Sequence, residues 1–122
     1  MEKFVVEGGR QLSGELPVMG SKNAATKLMA ASLLFDHPVS FANIPQIADV
    51  RKTSELLEKL GAEIHYDENG ILKINGTSAN SSALDPEIAK NMRASVVFLG
   101  PLLARYGTAQ IPHPGGCVIG AR

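Results

Sequence analysis

The stretch Pro-Gly-Gly-Cys-Val-Ile-Gly-Ala-Arg at residues 114–122 is the most informative part of this 122-residue chain. It sets the only cysteine, Cys117, among three glycines. Glycine lets a backbone turn sharply and approach a ligand closely, so the stretch predicts a loop that presents a thiol to what it encloses. A lone cysteine is more often a small buried hydrophobe. The surrounding glycines favour a reactive role for Cys117. The cation Arg122 favours it too, because a neighbouring positive charge makes a thiol more reactive. Since the chain ends inside this loop, we expect it to be a fragment.

Composition narrows the class of protein. Twelve basic and twelve acidic residues leave no net charge, and with 5% aromatic residues and no basic run there is little support for nucleic-acid binding. A single cysteine excludes an intramolecular disulfide, and the N-terminus has no signal-peptide pattern, which together favour a reducing cytoplasm. The longest apolar stretch, residues 94–104, is far shorter than the ~20 residues of a membrane span and predicts a buried helix.

The first half of the chain predicts strands and helices in alternation. Apolar spacing indicates a helix over residues 23–35 with Ser21 as its N-cap, and another that starts with Asp49 as its cap and stops at Gly61. Asn69-Gly70 is typical of a hairpin turn. The predicted strands cover residues 4–6, 16–18, 39–41, 63–66 and 71–75.

The second half begins with a polar loop at residues 76–83. Asp85-Pro86 is a strong helix start, and the helical pattern continues towards Arg105 with a kink at Gly100-Pro101 or a break near Asn91. A strand is predicted at residues 108–111. Two apolar helices that each precede a strand and a proline loop form a faint internal repeat, which hints at duplicated units.

Two basic residues are candidates for binding an anion. Lys22, in Gly20-Ser21-Lys22-Asn23, stands at a helix N-terminus, where a cation is disfavoured by ~0.3–1 kcal/mol unless an anion lies between them. A solvated loop lysine explains the pattern equally well, and the second glycine of a P-loop is missing. Arg93 heads an apolar helix and could hold a carboxylate or phosphate in a bidentate fork.

Other interpretations of the polar residues remain open. A surface Arg93 that pairs with Glu87 or Asp85 is as reasonable as a binding role. The three histidines have no metal-ligand spacing with the cysteine, which argues against a zinc site. No Ser-His-Asp constellation can be assembled from the sequence.

Three motifs together resemble the enolpyruvyl transferase family: Gly-Ser-Lys-Asn-Ala-Ala at residues 20–25, Met-Arg-Ala-Ser at 92–95 with Gly-Pro-Leu-Leu-Ala-Arg at 100–105, and the cysteine loop at 114–122. The resemblance runs from about residue 4 to the last residue. The cysteine loop is specific to the branch that acts on UDP-N-acetylglucosamine, while the Lys-Asn motif is shared more widely. Family members are several times longer, so the resemblance implies that only the opening portion is present.

The resemblance implies an α/β fold, an inside-out barrel-like arrangement of repeated βαβαββ units with helices inside and sheets outside. Residues 1–20 would be a first strand region that belongs to the second domain of the full-length enzyme. Residues 21–122 would form an incomplete first catalytic domain.

The resemblance also implies an activity. The enolpyruvyl group of phosphoenolpyruvate is transferred to the 3′-hydroxyl of UDP-N-acetylglucosamine with release of phosphate, the first committed step of peptidoglycan synthesis. Lys22 and Asn23 would contact phosphoenolpyruvate, Arg93 and Arg122 would bind UDP-N-acetylglucosamine, and Cys117 would be the proton donor. No metal, organic cofactor, nucleic acid or membrane is implied as a partner.

Two other functions are compatible with the family. The shikimate-pathway enolpyruvyl transferase shares the fold and phosphoenolpyruvate but lacks the cysteine loop. A non-catalytic paralogue would keep the sugar-nucleotide surface without turnover. We expect the fragment alone to be inactive, because the carboxylate that deprotonates the sugar hydroxyl would lie beyond Arg122.

Overall fold

The computed structural model of the chain describes residues 2–115, so Cys117 and Arg122 lie outside the described residues. Two short 3-10 helices, Ser32–Leu34 and Arg93–Phe98, extend the first helix and precede the last one. The other elements in chain order are α1 (Lys22–Ala31), β1 (Val39–Phe41), α2 (Ala48–Lys59), β2 (Glu63–Tyr66), β3 (Leu72–Asn75), α3 (Pro86–Ala89) and α4 (Leu99–Tyr106). The predicted mixture of helix and sheet is confirmed.

The three strands form one antiparallel sheet with β3 in the centre. Ile74 of β3 lies opposite Val39 of β1 and Ile64 of β2. Along β3 the side chains alternate, with Leu72 and Ile74 buried and Lys73 exposed, as expected of a strand with one face on a core. The predicted hairpin and the predicted strand at residues 39–41 are therefore confirmed.

The core lies between this sheet face and the helices. Leu56, Leu57 and Leu60, at the end of α2, are fully buried. Further fully or almost fully buried apolar side chains come from α1, from the 3-10 helix Arg93–Phe98 and from α4: Ala25, Met29, Ala30, Phe98 and Leu102. The face of α1 that carries these residues also packs against α2 and the 3-10 helix, which fixes the beginning of α1 relative to both.

Two of the three helix caps that the sequence predicts are confirmed. The Ser21 hydroxyl accepts a hydrogen bond from the Ala24 amide at 3.4 Å, and the Asp85 carboxylate accepts from the amides of Glu87 and Ile88. Asp49 was wrongly predicted as the cap of α2. The N-cap is Ile47, and Asp49 lies in the first turn, where its carboxylate contacts α1 instead.

The predicted strands at residues 4–6, 16–18 and 108–111 are wrong. Every residue from 2 to 19 is exposed and none is in a strand, because no other strand within the described residues pairs with them. At residues 108–111 the pairing is reduced to one bridge between Ala83 and Gln110. β-Prone side chains form a strand only where a partner strand supplies the hydrogen bonds.

The predicted helix break near Asn91 is confirmed, because α3 ends at Ala89 and the next element, a 3-10 helix, starts at Arg93. α4 begins at Leu99, so Pro101 lies in its first turn, where an amide donor is not needed. In the hairpin turn only Gly70 has a positive φ, +74°, and Asp67 stabilises the turn by accepting from the amides of Asn69 and Ile71. None of the helices within residues 2–115 is long and apolar enough to cross a membrane.

Arg105 connects α4 to two distant segments. Its Nη1 donates to the Leu33 carbonyl at 2.8 Å and its Nη2 to the Thr77 carbonyl at 3.0 Å. The neighbouring Tyr106 hydroxyl donates to the Ala79 carbonyl at 2.6 Å. These bonds hold the end of α4 on the loop that follows β3.

We expect Arg105→Met to lower the free energy of unfolding by roughly 1–3 kcal/mol, because a charged donor to two carbonyl groups is lost. Thermal or urea unfolding of the protein checks this value. Arg51→Met is the matched control, since Arg51 is an exposed arginine on α2. Equal stability of the two variants would show that the Arg105 hydrogen bonds contribute nothing.

Candidate active site

A cleft of about 490 Å³ lies where three parts of the fold meet. These parts are the beginning of α1, the first turn of α2, and the segment that joins α3 to the 3-10 helix Arg93–Phe98. The lining residues are Lys22, Asn23, Thr26, Lys27, Asp49, Asn91, Met92, Arg93, Ala94, Val96 and Val97.

Three of the predicted site residues share this cleft. Lys22 and Asn23 come from the first turn of α1, and Arg93 is the first residue of the 3-10 helix. The two motifs are far apart in the sequence, and the fold brings them together in one cleft. Their contacts with substrates stay a prediction.

The turn that leads into Lys22 depends on a close backbone approach. The Gly20 amide donates to the Asn43 side-chain oxygen at 3.2 Å, and a Cβ added at Gly20 would collide with the Asn43 carbonyl oxygen. Asn43 itself has a φ of +56°, a left-handed conformation that asparagine tolerates better than most residues. With the Ser21 cap, this contact fixes the direction in which α1 starts.

Lys22 forms an ion pair within the cleft. Its Nζ lies 2.8 Å from Oδ2 of Asp49, and both side chains are only partly exposed, 52% and 38%. The pair explains how a cation is accommodated in the first turn of α1, since the helix macrodipole alone would disfavour it there. Lys22 is therefore a half-exposed residue of α1 that pairs with a carboxylate, and not a residue of the preceding loop.

Arg93 is exposed at the other side of the cleft. The two carboxylates proposed as its surface partners are engaged elsewhere. Glu87 accepts from Lys90 Nζ at 2.6 Å, and Asp85 caps α3. This arrangement favours the interpretation of Arg93 as a group available to an anionic ligand.

The charge of the cleft is predominantly positive. Lys22, Lys27 and Arg93 line it together with one carboxylate, Asp49. Sequence reasoning missed Lys27 as a lining residue. The i, i+4 spacing of Lys22 with Thr26 and of Asn23 with Lys27 places all four on one helix face, and this signal could have identified it.

The described part of the cysteine loop begins next to the cleft. A Cβ at Gly115 would collide with the backbone carbonyl of Lys90, so only glycine allows this approach without displacement. Lys90 is the C-cap of α3 and directly precedes Asn91, which lines the cleft. Gly115 precedes Cys117 by two residues in the sequence.

Other polar features lie apart from the cleft lining. The His37 ring hydrogen-bonds to the Asp36 carboxylate at 2.8 Å and lowers the pKa of Asp36 below its ordinary value. Within residues 2–115 no group of three or more histidine, cysteine, aspartate or glutamate side chains could hold a metal ion.

Comparison with known proteins places these features in a family. The sequence pattern of the EPSP synthase (3-phosphoshikimate 1-carboxyvinyltransferase) family matches residues 6–122. The chain is 44% identical over 122 residues to UDP-N-acetylglucosamine 1-carboxyvinyltransferase of Halorhodospira halophila (strain DSM 244 / SL1). It is 45% identical over 127 aligned positions to the protein of the same name from Acinetobacter guillouiae. Each alignment covers 100% of this chain and 29% of the relative, so the chain spans less than a third of their length.

A solved structure agrees with the sequence comparison. The fold matches the crystal structure of the enolpyruvyl transferase NikO from Streptomyces tendae with a TM-score of 0.72 and 26% sequence identity. The match covers 84% of this chain and 24% of that one. The agreement of sequence pattern, relatives and fold shows that the chain belongs to the EPSP synthase family of enolpyruvyl transferases.

Proposed function

We propose that the protein to which this chain belongs transfers the enolpyruvyl group of phosphoenolpyruvate to the 3′-hydroxyl of UDP-N-acetylglucosamine, with release of phosphate. Two relatives that carry the name of this activity are 44% and 45% identical to the chain over its whole length. The structural observation that carries the proposal is the convergence of Lys22, Asn23 and Arg93 on one cationic cleft.

Both substrates are anions that suit such a cleft. Phosphoenolpyruvate carries a phosphate and a carboxylate, and Lys22 and Asn23 would bind it with a point charge and an amide donor. UDP-N-acetylglucosamine carries a diphosphate, which the guanidinium groups of Arg93 and Arg122 can bind in a bidentate manner. Cations that line the cleft can also stabilise charge that changes during the reaction.

Cys117 would supply the proton that starts the reaction. The thiol donates its proton to the methylene carbon of phosphoenolpyruvate, which leaves an oxocarbenium-like centre at C2. The sugar 3′-hydroxyl attacks C2 and loses its proton to a base, giving a tetrahedral adduct. Loss of phosphate from C2 and of a proton from the new methyl group restores the double bond, now in an enol ether on the sugar. A thiol has a pKa close enough to neutrality for this role, whereas lysine and arginine do not.

We also propose a place for the exposed N-terminal segment. Residues 2–19 make no strand and expose Phe4, Val5 and Val6 almost fully. This exposure supports the assignment of residues 1–20 to the second domain of a longer enzyme, and of residues 21–122 to an incomplete first domain. The enzyme would act in the cytoplasm, as the single cysteine and the nucleotide-sugar substrate suggest.

The name of the family favours one alternative acceptor, 3-phosphoshikimate. The two acceptors are distinguished with a polypeptide of the relatives' full length that carries this sequence. We expect phosphate release and an enolpyruvyl product by mass spectrometry with phosphoenolpyruvate and UDP-N-acetylglucosamine, and neither with 3-phosphoshikimate. Residues 1–122 alone should give no turnover.

Two outcomes would contradict the proposed reaction, and a third would contradict the expected inactivity of residues 1–122 alone. Turnover with 3-phosphoshikimate only would assign the shikimate reaction. Binding of UDP-N-acetylglucosamine without turnover would indicate the non-catalytic paralogue. Phosphate release by residues 1–122 alone would show that the cleft needs nothing outside this chain. A reaction without acceptor serves as the control for phosphoenolpyruvate hydrolysis.

A further inference from the structure

We propose that Asp49 is a positioning residue, which holds the Lys22 ammonium group in the cleft where the anionic part of the enolpyruvyl donor binds. This inference rests on the proposed function and adds to it a residue that the sequence had placed in a purely structural role. The observation behind it is the 2.8 Å contact between Asp49 Oδ2 and Lys22 Nζ, made between two different helices.

The backbone that carries Asp49 is held firmly. The Asp49 carbonyl accepts a hydrogen bond from Thr53 Oγ1 at 2.8 Å, one turn later in α2. Val50 and Thr53 are both fully buried, so this turn of the helix is fixed against the core. The carboxylate also lies in the first turn of α2, where the helix macrodipole favours a negative charge. Asp49 is therefore a charge on a rigid support.

Lys22 needs such a partner more than an arginine would. A lysine side chain is a point charge on a flexible four-carbon stem, and its position is set by what it contacts. Among the residues 2–115 that line the cleft, Asp49 is the one carboxylate. An ammonium group carries three donors, so it can bind Asp49 and a substrate oxygen at the same time.

The position of Asp49 also has an electrostatic cost for binding. Its negative charge partly offsets the attraction of Lys22, Lys27 and Arg93 for an anion. A residue that orients a cation while weakening anion binding should affect catalysis and affinity in opposite directions. This separation distinguishes a positioning role from a merely structural one. Loss of a merely structural residue would change the stability of the protein, without opposite changes in catalysis and affinity.

The test uses Asp49→Asn in a polypeptide of the relatives' full length that carries this sequence. Asparagine keeps the size and one acceptor oxygen but removes the charge. We expect kcat to fall about ten- to a hundredfold, because an imprecisely held charge stabilises the transition state less. We expect KM for phosphoenolpyruvate to stay within threefold of the wild-type value or to decrease. Asp49→Glu, which restores the charge, should recover at least a third of the lost kcat.

Glu87→Gln is the matched control, because Glu87 also pairs with a lysine but does not line the cleft. It should keep the wild-type kcat. A second test combines Asp49→Asn with Lys22→Gln and is measured in single turnovers with enzyme in excess, so that slow variants stay measurable. If Asp49 acts through Lys22, the double variant should be within threefold of Lys22→Gln alone.

The inference is overturned if Asp49→Asn keeps at least half of the wild-type kcat, if its KM rises more than kcat falls, or if its effect multiplies with that of Lys22→Gln. Absence of turnover in the wild-type protein with UDP-N-acetylglucosamine would instead contradict the proposed function. The same assay therefore separates the two failures. Failure of the inference is seen in the Asp49 variants, and failure of the proposed function is seen in the wild-type protein.

Discussion

Replacing Cys117 by serine is expected to lower kcat by about 10²- to 10⁴-fold, the contribution typical of a general acid. A serine hydroxyl has nearly the same shape as a thiol but does not give up its proton near neutral pH. KM for UDP-N-acetylglucosamine should change little, because the lost interaction belongs to the chemical step and not to the binding of the sugar nucleotide. Steady-state rates with both substrates, in a polypeptide of the relatives' full length that carries this sequence, measure the two parameters separately.

Chemical labelling gives an independent measurement of the same group. Alkylation by an epoxide such as fosfomycin can be assigned to Cys117 by the mass of the peptide that contains it, since residues 1–122 hold no other cysteine. His113→Gln is the control, since it changes a polar side chain four residues earlier without removing the thiol. A serine variant with wild-type kcat, or a thiol that resists alkylation in the intact protein, would leave the proposed proton transfer without a donor.

Gly20→Ala is a substitution for which we expect a large combined loss of stability and activity. The added Cβ would occupy the position of the Asn43 carbonyl oxygen, so the backbone at one of the two sites has to move. Overpacking of this kind costs about 1–3 kcal/mol. The displaced turn directly precedes Lys22 and Asn23, so kcat/KM for phosphoenolpyruvate should fall by more than tenfold.

Gly100→Ala is the matched control for this prediction. A Cβ at Gly100 meets nothing within 4 Å, and Gly100 lies inside α4, where alanine is the better helix former. Both variants are made in a polypeptide of the relatives' full length. Urea unfolding and initial rates should then show a lower stability and a lower rate for Gly20→Ala than for Gly100→Ala. A Gly20→Ala protein as stable and active as Gly100→Ala would mean that the approach of Gly20 to Asn43 is not required for the site.

The parts of the fold that the sequence predicted well are those determined by neighbouring residues. Ser21 and Asp85 cap helices by accepting from amides two or three positions away. The hairpin turn at residues 67–70 depends on the Asp67 side chain and on the positive φ of Gly70. The apolar face of α2 follows from its own periodicity. Such signals need no knowledge of the remaining fold.

The errors all concern contacts between distant residues. The stretches 4–6, 16–18 and 108–111 have the composition of strands, but strand formation depends on a partner that composition does not specify. Asp49 has the features of a helix cap, yet its carboxylate is engaged by Lys22 from another helix. A local rule therefore identified a suitable residue and gave it the wrong partner.

The candidate site shows the same division. Lys22, Asn23 and Arg93 were found because each stands in a short motif, and the structure then places them in one cleft. Lys27 and Asp49 belong to no motif, and their place in the cleft follows from the packing of α1 against α2. Motifs thus identified the residues proposed to bind substrates. The residues that determine the electrostatic field around them could be identified only from the fold.

The exposed segment at residues 2–19 has a consequence for how this protein can vary through evolution. Because none of its side chains is buried, the folded body from Gly20 onwards imposes no selection on Phe4, Val5 or Val6. Drift towards polar residues would then be the neutral outcome in related lineages. Persistent retention of apolar residues at these positions would be the mark of a second surface that coevolves with them.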